Sequence, residues 1–202
     1  MKYLYLVIVI VISGCAGMNP NPGERTADTN RERGNYSKAL EVTKPAAERG
    51  EPWAQLRMGM YYNWGIGVEV DIPMAVEWYK KAASQLEEGK WAEGYIAGAT
   101  GPLGYFGQKG DALIAQFRLA DIYFSGDGVE KDLILAYLLI NNVIEKSNDT
   151  ADVFFCCEWS GGRWFKQIEF TELKAKIEET MSPEQLTKAK IMSATWSPKN
   201  DL

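Results

Sequence analysis

Trp53-Ala54-Gln55-Leu56-Arg57-Met58-Gly59-Met60-Tyr61-Tyr62-Asn63-Trp64-Gly65-Ile66-Gly67-Val68 is answered 61 positions later by Ile114-Ala115-Gln116-Phe117-Arg118-Leu119-Ala120-Asp121-Ile122-Tyr123-Phe124-Ser125-Gly126-Asp127-Gly128-Val129. Ala, Gln, Arg, Tyr, both glycines and Val coincide, and the match continues through Asp71 with Asp132 and Ala75 with Ala136. A second offset of 36 carries Ala39, Ala46 and Ala47 onto Ala75, Ala82 and Ala83. Self-similarity at such a period marks stacked units that cannot each bury their apolar face alone. With 36 as the period, the longer offset is one unit plus an insert of about 25 residues near Leu86 to Gly110.

The residue types say what each unit is: a helix, a turn and an antiparallel helix. Gly65 and Gly126 stand where a helix ends and a positive φ is needed, which costs glycine no Cβ clash. Gly67 and Gly128 allow the tight turn that follows. Asp71 and Asp132 are placed to cap the second helix, with Pro73 in its first turn, where a missing N–H is harmless. Gly59, Ala120, Ala75, Ala82 and Ala136 are small where two helices should cross closely. Tyr62 and Tyr123 are expected to fill the space between helices and between units.

At this point a family shows itself. Leu/Met-Gly-x-x-Tyr-x-x-Gly-x-Gly-Val-x-x-Asp-x-x-x-Ala-x-x-Trp-Tyr-x-Lys-Ala-Ala resembles the Sel-one-like repeat, a relative of the tetratricopeptide repeat. Met58 to Ala83 carry it best, a weaker copy covers Ala115 to about Val143, and a half-repeat lies at Asn35 to Gly50. The resemblance implies an all-α helix-turn-helix repeat solenoid, a tetratricopeptide-like superhelix, over residues 34–202. Two features depart from it. An insertion near 87–110 is rich in glycine and aromatic residues, reading as a surface insert that either binds or only connects. Leu139 replaces the Trp of Trp78-Tyr79, and Asn141-Asn142 replace Lys80-Lys81, pointing to a bent or distorted second unit. At the C-terminus, Ser182-Pro183-Glu184-Gln185 is a capping box opening a helix that closes the array, after a helix over Phe165 to Thr180. No strand pattern of useful length occurs, although Asp152 to Cys157 is β-prone.

The N-terminus has a different character. Tyr3 to Ile12 is an uninterrupted apolar run behind Lys2, too short to span a bilayer at about 20 residues but suited to a signal peptide. Ile12-Ser13-Gly14-Cys15 then resembles the lipobox of a bacterial lipoprotein signal. The resemblance implies removal of residues 1–14, acylation of Cys15 and a lipid anchor with no spanning helix. Ala16, rather than Asp, follows the cysteine. In enterobacteria-like sorting this implies the outer membrane, with the array facing the periplasm. Residues 15–33 lack apolar periodicity and read as the lipidated cysteine and a flexible tether.

Composition excludes several roles. The net charge is -5 with no run of Lys or Arg, which argues against nucleic-acid binding. There is no histidine, so the usual general base and the commonest transition-metal ligand are missing. The Gly-x-Gly pairs follow helices and lack the third glycine of a nucleotide loop. Glu87-Glu88 and Glu178-Glu179 fit solvated helix faces better than an acid/base pair. Cys156-Cys157 are either buried thiols or a strained vicinal disulfide, with Trp159 to Trp164 an aromatic loop beside them. No catalytic residue, metal or cofactor is expected.

What remains is binding. The first helices of stacked hairpins line a concave face. Their positions outside the repeat signature are the expected contacts with a partner protein: Arg57, Met60, Tyr61, Trp64, Arg118, Asp121 and Phe124. Arg and large aromatic residues are the types that concentrate interface energy. Small lipoproteins with these repeats imply, by resemblance alone, an immunity protein that neutralises a secreted (type VI) antibacterial toxin such as a phospholipase. An envelope assembly or signalling adaptor is the alternative, and a peptidoglycan-acting enzyme comes third.

Overall fold

The computed structural model describes residues 22–85, 108–147, 153–155 and 163–202. The leader, Cys15, most of the insert, Cys156 and Cys157 fall outside the described residues. Six helices form three consecutive antiparallel hairpins: α1 (Pro22–Glu32) with α2 (Tyr36–Glu48), α3 (Pro52–Trp64) with α4 (Ile72–Ala83), and α5 (Gln108–Ser125) with α6 (Leu133–Ser147). Helices α7 (Gln167–Thr180) and α8 (Pro183–Ser193) both pack on α6, and a short α9 (Pro198–Asp201) follows. This is the helical repeat array the offsets predict.

The turn chemistry is as read. Gly65 takes φ 67 at the end of α3, and its N–H donates to the Tyr61 carbonyl. Asp71 accepts from Met74 N at 2.9 Å, and Asp132 accepts from Leu135 N at the same distance. Gly67 and Gly128, with φ of 74 and 70, do more than turn the chain. A Cβ on Gly67 would meet the Tyr36 backbone at 2.9 Å, and one on Gly128 would meet Ile72 Cβ at 2.6 Å. Tyr36 and Ile72 are themselves one period apart and both open a second helix. Each loop thus rests on the start of the preceding unit's second helix. The glutamines repeat the relation. Gln55 donates to the Ala47 carbonyl and Gln116 to the Ala83 carbonyl, each at 3.3 Å, tying one hairpin to the next.

The core has two parts. A long cluster runs from Leu56 and Met60 of α3 through Ala75 and Tyr79, Leu113 to Ile122, and Ala136 to Val143, ending at Phe170, Ile177 and Ala189. A smaller one joins Ala27, Ala39, Ala46, Ala47, Trp53, Ala54, Met58 and Tyr61. The close crossing expected at Gly59 is real, since the fully buried Tyr79 ring occupies the space a Cβ there would need. Ala75 and Ala136 are wholly buried, and Tyr62 and Tyr123 are half-buried against the clusters.

Three expectations need correction. The tether over 15–33 gives way at Pro22 to α1, so the half-repeat at Asn35 is completed to a hairpin. The second unit is not bent: α6 is a regular helix, and Asn142 donates to Gln116 Oε1 at 2.7 Å while Asn141 accepts from Lys174 Nζ at 2.7 Å. The β-prone run forms Val153–Phe155, paired antiparallel with Arg163–Phe165, so Phe165 precedes α7 instead of opening it.

Candidate interaction surface

Of the contacts expected on α3, three are inside. Arg57 is 2% exposed, Met60 6% and Tyr61 not at all. Their burial follows from the place of α3 in the array, with α2, α4 and α5 all packed on it. Every residue from Pro52 to Tyr61 is buried, so the helix has no solvent face over its first ten residues. Met60 joins the long cluster. Tyr61 joins the small one, with its hydroxyl 3.4 Å from Thr43 Oγ1.

Arg57 is committed to a polar cluster that the sequence reading missed. Its Nε donates to Asp28 Oδ1 at 3.0 Å and its Nη2 to Asp28 Oδ2 at 2.8 Å, a two-pronged pair. Nη2 also reaches Glu24 Oε1 at 3.3 Å. Asp111, in the first turn of α5, is buried and close enough to feel both Arg57 and Asp28. Burial pushes the Glu24 carboxyl up to about 8 and Asp111 up to about 7, against the pull of Arg57. Asp28 is raised by burial too, although Arg57 opposes it by charge and hydrogen bond. The signal for this cluster was present in the sequence: Glu24, Ala27, Asp28 and Arg31 recur at helical spacing, but on a face that is charged.

The remaining expected contacts do reach the surface. Trp64 is 48% exposed at the end of α3, and the Arg118 guanidinium lies 5.0 Å from its ring. Arg118 also lies 5.6 Å from the Phe117 ring and 5.4 Å from Phe165, so the two equivalent arginines of the repeat face opposite surroundings. Arg57 meets carboxylates, and Arg118 meets aromatic faces. Asp121 is exposed and Phe124 half-buried, with Lys131 Nζ 5.5 Å above its ring. On the neighbouring second helix, Lys80 Nζ lies 5.9 Å from the Tyr123 ring. Trp64, Arg118, Asp121, Tyr123 and Phe124 thus lie on the second halves of α3 and α5, alternating on α5 with the buried Leu119, Ala120 and Ile122. A separate open groove of about 520 Å³ lies along α8, lined by Pro183, Thr187, Ile191 and Met192 among others. Ile191 is 70% exposed there, a feature the sequence reading did not single out.

Among the described residues, no group of His, Cys, Asp and Glu side chains is arranged to hold a metal ion, and no helix is long and apolar enough to cross a membrane.

Comparison with known proteins agrees with this architecture. The Sel1 repeat profile matches residues 54–85 and 113–140, the two units that carry the paired glycines. A solved structure of a protective antigen present in uropathogenic Escherichia coli strains, displaying an SLR fold, is similar at 26% identity and a TM-score of 0.52 over 78% of this chain. The match spans 24% of that longer protein. No curated protein matches the chain.

Proposed function

Since the chain is a Sel1-like repeat protein, we propose that it works by binding another protein, and that it does so with the open side of its first helices around Trp64. Sel1 repeats serve as protein–protein interaction modules. The observation that carries the choice of side is the Trp64–Arg118 stack, in which a half-exposed indole is held by a guanidinium at 5.0 Å. A large aromatic fixed in place loses little freedom on binding, which is how a few residues come to dominate an interface.

In its specific form, the proposal is a bacterial lipoprotein, acylated at Cys15 and held at the outer membrane facing the periplasm. There it neutralises a secreted antibacterial toxin, such as a type VI phospholipase, by occupying its surface. Support for the anchor comes from the apolar run ending at Ile12-Ser13-Gly14-Cys15, and support for the toxin role from resemblance to small repeat lipoproteins. An envelope assembly or signalling adaptor uses the same surface with a resident partner.

The test is a photo-crosslinking residue in place of Trp64 in intact cells, with one in place of Ile191 for comparison. One dominant partner from position 64, lost on adding Arg118→Ala, supports the surface. Crosslinks only from position 191 move the site to the α8 groove and overturn it. A partner that is toxic when expressed alone and harmless with this chain is the toxin of the specific proposal; a resident envelope protein makes the chain an adaptor. Mass spectrometry of the mature protein decides the anchor, because an N-terminal Cys15 without acyl chains removes it.

A further inference from the structure

Helix α1 is held to the array in an unusual way for a repeat unit. Among its residues of described burial, the one buried apolar side chain is Ala27, and the other inward residues are Glu24 and Asp28. Both meet Arg57, and Asp111 of α5 adds a third carboxylate to the same enclosure. We propose that this cluster is a proton-linked latch, which holds α1 on the array while it keeps its protons and releases α1 as it ionises.

The charge count explains the device. Arg57 supplies one positive charge, and Asp28 takes both prongs of its fork. Glu24 has the longer single contact. If Glu24, Asp28 and Asp111 were all ionised, Arg57 and the Arg31 at Asp28 would still leave one negative charge uncompensated where exposures are 7%, 3% and 6%. Unpaired buried charge is costly, so the surplus carboxyls keep their protons instead. The other charged groups nearby do not reverse this. On α1, Arg31 Nε lies 3.8 Å from Asp28 and favours its ionised form, while Glu32 opposes it. At the start of α3, Glu51 opposes ionisation of Glu24, though Arg49 and the Trp53 indole N–H occupy its oxygens. Beside them the Tyr61 hydroxyl of α3, 3.4 Å from the Thr43 hydroxyl of α2, is raised by burial and stays neutral across this range.

The sign follows from linkage. Glu24 and Asp111 are raised above their ordinary range by burial, to about 8 and about 7. Docking is therefore tightest in acid, weakens as pH rises out of the ordinary carboxylate range, and stops changing above about 8. For each proton lost on release, the opening constant of α1 rises on the order of tenfold per pH unit inside that window. Release uncovers Arg57 and frees residues 22–35 from the array.

Hydrogen exchange of the α1 amides, with α4 as the internal reference, tests the latch between pH 5.5 and 8.5. After correction for intrinsic chemistry, the ratio of α1 to α4 opening should rise at least tenfold, and Glu24→Gln with Asp111→Asn should flatten it. A ratio constant with pH, or an unchanged slope in the double variant, overturns the latch. Should the variant not fold, carbon NMR of the Glu24 carboxyl in the unmodified protein decides. A midpoint near 8 supports the latch, and one below 5 refutes it.

Discussion

Arg57 and Arg118 occupy the same place in successive repeats, and the difference between them is a difference of neighbours. Arg57 is enclosed with three carboxylates, so Arg57→Ala strands buried acid groups and should cost ~3–5 kcal/mol in urea unfolding at pH 8. The loss should shrink at pH 5, where the raised Glu24 and Asp111 carboxyls are neutral in the folded state and need no counter-charge. A loss equal at both pH values would show that charge is not its cause. Arg118→Ala removes cation–aromatic contacts at a half-buried site, worth about 1 kcal/mol with no such pH dependence. At Gly59 the constraint is steric. Gly59→Ala places a methyl against the Tyr79 ring and should lower stability by ~1–3 kcal/mol, with partial rescue by Tyr79→Leu. The identity of these positions was legible in the sequence, because glycine and alanine at fixed offsets have one packing meaning. The exposure of Arg57, Met60 and Tyr61 was not, since a repeat signature names the face a residue shares with its own hairpin and says nothing of how many other helices cover it.

Helices reveal themselves through their ends and their faces, and the elements of this chain differ in which of these they show. The second helices of the repeats show both. Asp71 and Asp132 each accept a hydrogen bond from the third residue of their helix, so alanine at either should cost ~1 kcal/mol, and the double variant close to the sum. A double loss well above the sum, measured by urea titration, would mean the two caps are coupled through the loop contacts at Gly67 and Gly128. Helix α3 shows its ends, with Pro52 opening it and Gly65 closing it, but its faces mislead. Its first ten residues are buried all round, so no amphipathic stripe points to a core. Helix α1 shows neither. No apolar stripe marks its inward face because that face is Glu24, Ala27 and Asp28, and a helical spacing carried by charged residues reads as tether. What seats it on the array is Arg57, a partner 29 residues from Asp28 that local pattern cannot supply.

Across the whole molecule, stability should follow the two clusters of the core. In a solenoid each unit is held by itself and its neighbours, so the unit with the poorest interface opens first. The long cluster is continuous from α3 to α8 and contains Tyr79, Phe117, Phe165 and Phe170, with the Phe117 ring meeting Phe165 and Phe170 edge-on at 5.7 and 5.2 Å. The small cluster relies on five alanines besides Trp53, Met58 and Tyr61, and alanine buries little apolar surface. The C-terminal end belongs to the larger body through Leu173, Ile177 and Ala189, while the N-terminal hairpin belongs to the smaller. Limited proteolysis should therefore cut first around Arg33-Gly34 and Arg49-Gly50, leaving a resistant fragment that begins near α3. Replacing Ala46 or Ala47 with a larger side chain should hasten those cuts, as overpacking loosens the α2–α3 contact, whereas Ile191→Ser on the exposed α8 face should leave the pattern unchanged. Cleavage beginning instead between α7 and α8 would place the weak interface at the other end, and the array would then open from the side that carries the groove.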